Sequence, residues 1–176
     1  MRVHAWRKLR SLGALYLQNS VALLPERAKT ARGAARLLDR LRRSGGDGRL
    51  LPIAITDPRE EQAVIAQFCA ERRDEYQEIV SRVPAFLEEI AMERACGRAT
   101  YAEVEESEAD LERLQKWLAR VCARDYFDAE GRAAAEQAVE RCASELAAFE
   151  AEALAAELSA DVAPATSARL RAVEGK

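Results

Sequence analysis

VHAWRKLRSLGALYLQNSVALLP, residues 3–25, decides how the front of this chain folds. Val3, Trp6, Leu9 and Leu12 recur at three-residue steps, which puts them on one face of a short helix and predicts that Trp6 packs into a core. Arg2, Arg7, Lys8 and Arg10 take the remaining faces, and Gly13 stands where a left-handed residue would end the helix. Beyond it, Leu15 and Leu17, then Val21 and Leu23, alternate as in two short strands turning at Asn19-Ser20, because asparagine tolerates positive φ in a tight turn. One strand of about ten residues is the competing reading. Pro25 closes the segment in either case.

Working outward, residues 26–44 predict a second helix with Ala28, Ala31, Ala35, Leu38 and Leu41 facing inward. Arg32, Arg36, Arg40 and Arg43 follow one another at steps of four, four and three, a single stripe on its outer face. Ser44-Gly45-Gly46-Asp47-Gly48 stops the helix, and Arg49–Ile55 reads as a strand that Pro52 confines to a sheet edge or a bulge. Asp57-Pro58 has the chemistry of a helix start, an acceptor side chain followed by a residue with no N–H to satisfy. From there Ile65, Phe68, Arg72, Tyr76, Ile79, Val83, Phe86 and Ile90 form the seam of a long packed helix that should kink at Pro84 without ending. Thr100 with Glu103 forms a capping box for the next helix, along Val104, Leu111, Leu114, Leu118 and Val121. An Asp128 cap then opens the last, along Ala135, Val139, Cys142, Leu146, Phe149 and Leu154. Three amphipathic helices with short links predict an antiparallel bundle. After Leu158 the period fades, which predicts a mobile tail over 159–176.

Charge divides the chain at the same place as the pattern. Residues 1–50 hold twelve Lys/Arg against three acids, a balance of +9, whereas the rest holds fifteen against twenty-seven, a balance of −12. Such a split suggests a basic face turned toward an anionic partner or toward the chain's own acidic half. No apolar run approaches the ~20 residues that span a bilayer, and the basic amino terminus is followed by no leader pattern, so the expectation is a cytoplasmic protein without a membrane partner. Cys69, Cys96, Cys122 and Cys142 lie twenty or more residues apart and His4 is the only histidine, so no metal or cofactor is expected and the cysteines read as small buried hydrophobes. No phosphate-loop, dinucleotide, nucleophile-elbow or zincin motif occurs, and Glu103, Glu105, Glu106, Glu108 and Asp110 splay around their helix instead of converging. An enzyme is therefore the least favoured class.

WRKLRSLGALYLQNSVALLP resembles the amino-terminal domain of ChrB, the regulator associated with bacterial chromate resistance, and more distantly the central domain of PaaX-type repressors. The resemblance to ChrB continues through GGDGRLLPI, FCAERRDEYQEI (residues 68–79) and RDYF (residues 124–127). It implies an α+β fold: a ferredoxin-like βαββαβ unit over residues 1–56 whose first strand is missing here, followed by the acidic bundle over 57–158. It implies further that the chain contacts promoter DNA of a chromate-efflux operon, that it lacks the chromate-responsive domain of the longer regulators, and that the native start lies upstream of Met1 or the first strand is lost. Trp6, Leu9, Gly13, Val21, Leu24 and Pro25 match the structural positions of the motif, and Arg7 and Arg10 its basic ones.

Three readings follow. The first is a DNA-binding regulator or accessory protein that sets Arg2, Arg7, Lys8, Arg10, Arg32, Arg36, Arg40 and Arg43 against phosphates; Trp6 and Tyr16 among arginines also resemble the basic and aromatic mixture of single-strand binding surfaces. The second is a helical module that pairs with a partner or with another copy as a homodimer. The third is direct binding of the chromate oxyanion, since guanidinium forks match tetrahedral dianions.

Overall fold

A computed structural model describes residues 2–97 and 100–162, with side chains from residue 3 to residue 158. The chain is mostly helical: α1 (Arg2–Ser11), a hairpin of β1 (Leu15–Gln18) and β2 (Val21–Leu23), α2 (Ala28–Arg43), α3 (Pro58–Ala95), α4 (Tyr101–Cys122) and α5 (Arg132–Val162).

α1 ends as its glycine requires. Gly13 has φ +74°, Ala14 N–H donates to Leu9 O and Gly13 N–H to Arg10 O, so the last carbonyls are capped by the chain reversing on itself. The reversal feeds the antiparallel hairpin, whose register pairs Leu15 with Leu23 and Tyr16 with Ala22, with an irregularity before Gln18 pairs with Val21. Its turn at Asn19-Ser20 needs no positive φ at either residue.

Three expectations about this front part are corrected. The buried face of α2 is Thr30, Gly33, Ala34 and Leu37, while Ala28, Ala31 and Ala35 are exposed. The rotation follows from Gly33: with no side chain there, the methyls of Leu12 enter so closely that an added Cβ would lie 2.7 Å from one of them. Seating Leu12 fixes the rotation of α1 too. Leu12 is buried and Leu9 partly so, but Val3 is 59% and Trp6 45% exposed. Finally, Arg49–Ile55 forms no strand, and Leu50, Leu51 and Ile53 stand exposed along an irregular segment. Among the described residues the sheet has only its two hairpin strands, and a segment with Pro52 in it offers too few donors to recruit an edge.

The rear of the chain follows the pattern closely. α3 is capped by Asp57 Oδ1, which accepts from Arg59 N–H at 2.8 Å, with Pro58 in the first turn, and the helix runs through Pro84 without ending. Its buried residues are Phe68, Arg72, Tyr76, Ile79, Val83, Phe86, Ile90 and Glu93. Val83, Phe86 and Ile90 meet Val104 of α4 and Cys142, Leu146, Phe149 and Ala153 of α5. Tyr76 and Ile79 meet Val121, Ala135 and Val139. The early half of α4 thus packs on the late halves of α3 and α5, which makes α4 antiparallel to both.

Details at the ends depart from expectation. Thr100 precedes α4 but its side chain makes no cap bond. Asp128 is not a cap: it sits at φ +52°, and α5 starts only at Arg132 because Asp125 instead accepts from Ala129 N–H and holds residues 123–131 as a loop. Ala153 takes the buried place expected of Leu154, which is 50% exposed. Of the cysteines, all free, Cys142 is buried and Cys96 is exposed. α5 continues to Val162, and the remainder of the expected tail lies outside the described residues.

Candidate nucleic-acid interface

The front unit is held on the bundle by one junction. Gly13 packs so tightly on the loop after α4 that a Cβ would lie 2.8 Å from Arg124 Cβ and 3.2 Å from its carbonyl oxygen. Tyr126 donates its hydroxyl to Leu12 O at 2.8 Å, and Arg124 donates to Arg10 O at 3.2 Å. Arg124 also pairs with Glu75 at 2.9 Å, and Glu75 with the buried Arg72 at 2.8 Å. Burial lowers the Arg124 pKa and Glu75 opposes that shift. Tyr76, buried beside this network, donates to Asp125 at 3.0 Å. The stretches 3–25, 68–79 and 124–127 singled out in the sequence thus converge on one contact.

Burial raises the pKa of Tyr76, with its bonds to Cys122 and Asp125 adding to the effect, and burial raises that of Tyr126. Burial pushes the Cys142 thiol up as well. A folded-state pKa above the unfolded value means stability that is complete below the ordinary value and declines above it. Melting temperature is therefore expected to hold steady up to the thiol's ordinary 9.0 and to fall beyond the phenols' 10.0. Tyr126→Phe should cost about 1 kcal/mol at neutral pH, the worth of one hydrogen bond, and should soften the alkaline decline in a melting series.

With the front unit so placed, its basic residues form two groups. Arg32, Arg36, Arg40 and Arg43 are all exposed along α2. Arg40 Nη1 lies 3.1 Å from Nε2 of His4 and so ties the stripe to α1. Arg7 and Lys8, three and four residues on from His4, fall on that same side of α1, and both are exposed. Among the described residues no carboxylate pairs with any of these six cations. Lys29 was not expected here, yet it lies seven residues before Arg36 on the same helical face and donates to Ala123 O at 3.4 Å; that spacing is the signal that could have found it.

Arg10 belongs elsewhere. Its guanidinium stacks on Trp6, 4.9 Å from the ring centroid, on the side of α1 turned away from His4. The side chain of Arg2 lies outside the described residues. Of the eight predicted residues, six therefore share one exposed, unneutralised face. Such a face can bind closely spaced anions by charge.

The family model for the amino-terminal region of protein ChrB matches residues 2–160. The chain belongs to the ChrB family. That makes it a protein related to chromate resistance. No curated protein and no solved structure matches it. The ChrB match covers α1 through nearly all of α5, so the front unit, the Gly13–Arg124 junction and the bundle all belong to the family's own unit. No helix among the described residues is long and apolar enough to cross a membrane.

Proposed function

We propose that this ChrB-family chain is a cytoplasmic DNA-binding regulator, or an accessory protein of such a regulator, in chromate resistance, and that α1, the hairpin and α2 are what this chain has of a ferredoxin-like DNA-contacting unit. The supporting observation is the face of Arg7, Lys8, Arg32, Arg36, Arg40 and Arg43, exposed and without carboxylate partners among the described residues although the chain as a whole carries a net charge of −3. Cations left unpaired in an acidic protein repel one another unless an outside anion arrives, and phosphates along a duplex supply anions at matching density. Trp6, exposed and stacked by Arg10, lies on another side of α1 and is not counted among these phosphate contacts.

Six phosphate contacts imply that log K falls with log salt at a slope of about −5, so affinity should drop roughly a thousandfold between 50 and 200 mM salt. A gel-shift series with DNA from upstream of the chain's own operon reads this directly. Absence of a shift at micromolar protein in 50 mM salt, or a slope near zero, would reject the reading.

A further inference from the structure

The groove between α3 and α4 on the outside of the bundle has no partner among the described residues, and its charge changes sign along its length. Two shallow depressions of about 380 and 330 Å³ run along it, floored by Phe86, Leu114 and Trp117. One end is basic, with Arg82, Arg113, Lys116 and Arg120; the other is acidic, with Glu89 and Asp110 and then Glu106 and Glu103 in the preceding turns of α4. α4 itself is divided with no overlap: residues 103–112 hold six acids and no base, whereas 113–120 hold three bases and no acid.

We infer that this groove is the interface of a two-fold homodimer in which α4 packs antiparallel on α4 of a second copy. A two-fold axis between Asp110 and Arg113 sets each acidic end on the other copy's basic end: Asp110 opposite Arg113, Glu106 opposite Lys116, Glu103 opposite Arg120. A self-complementary patch of this kind closes as a dimer, while a translated copy would set like charges against each other and could grow without limit. The floor suits the centre of such an interface, since a half-buried tryptophan flanked by arginines gains most from losing its remaining water. Within α4 Lys116 pairs with Glu112, an exposed pair that exchanges at little cost for contacts across the interface, whereas Arg113, itself exposed, pairs with the half-buried Asp110. The inference is independent of the DNA reading, which uses residues of α1 and α2 instead of α4.

The symmetry provides the test, because each substitution appears twice in the dimer. Sedimentation equilibrium of the full chain at about 50 µM in low salt should give twice the monomer's 19.5 kDa. Glu106→Lys alone and Lys116→Glu alone should each weaken self-association about tenfold or more, since each sets like charges in opposition, and the double variant should restore it to within a few-fold. Both positions are exposed, so unchanged helical circular dichroism is expected throughout. A single-chain mass at every concentration, a dimer indifferent to both reversals, or a double variant no tighter than the singles would each overturn the proposal.

Discussion

Gly13→Ala is expected to destabilise the chain by about 2–4 kcal/mol, and to do so by loosening the front unit from the bundle. Two costs act at once. At φ +74° a side chain costs on the order of 1 kcal/mol, and the new methyl would meet Arg124 Cβ at 2.8 Å and the Arg124 carbonyl at 3.2 Å. Neither neighbour can withdraw cheaply. Arg124 is held by Glu75 and by Arg10 O, and Glu75 is held in turn by Arg72, which has almost no exposure of its own. Relief therefore comes from moving α1 and the hairpin, which costs the Tyr126–Leu12 bond and unseats Leu12 from Gly33. Denaturant unfolding should show the loss, and hydrogen exchange should place it: amides of α1, β1 and β2 should exchange faster while those around Tyr76 and Phe149 keep their protection. The opposite variant makes the argument specific. Gly45 also has positive φ but nothing within 4 Å, so Gly45→Ala should carry only the backbone cost.

Particular residues explain which parts of this architecture were legible in the sequence. The seam from Phe68 to Ile90, Arg72 included, holds almost without exception because a long helix against two others has one way to bury a stripe. Gly13 was legible because its conformation is local. The position of Trp6 was not, since a three-residue period fits two neighbouring faces of a ten-residue helix and the choice rests on Leu12 finding the gap above Gly33, a contact across the fold. Arg49–Ile55 fails for a related reason: a strand exists only if an edge accepts it, and a two-stranded hairpin with a run containing Pro52 supplies none. The spacing of Arg32, Arg36, Arg40 and Arg43 disclosed the stripe, while the separation of Arg10 from it depended on how α1 is turned.

Replacing Arg32, Arg36, Arg40 and Arg43 together by alanine is expected to abolish most of the DNA affinity while leaving the fold intact. All four side chains are exposed, and their contacts within the protein are to backbone carbonyls of their own helix and, for Arg40, to His4. Alanine propagates a helix at least as well as arginine, so melting temperature should change little. Each phosphate contact contributes roughly tenfold in affinity near 0.1 M salt, so four together amount to about three to four orders of magnitude, and the salt slope should shrink by about 3.6. The slope is the decisive quantity, because it counts contacts and is insensitive to any small structural adjustment. Arg141→Ala on α5 removes the same kind of charge from an exposed position on the bundle and should leave both affinity and slope unchanged. Were the quadruple variant to keep the wild-type slope, or Arg141→Ala to lower it equally, the α1–α2 face would not be what meets the phosphates, and the contact would have to be sought on the bundle.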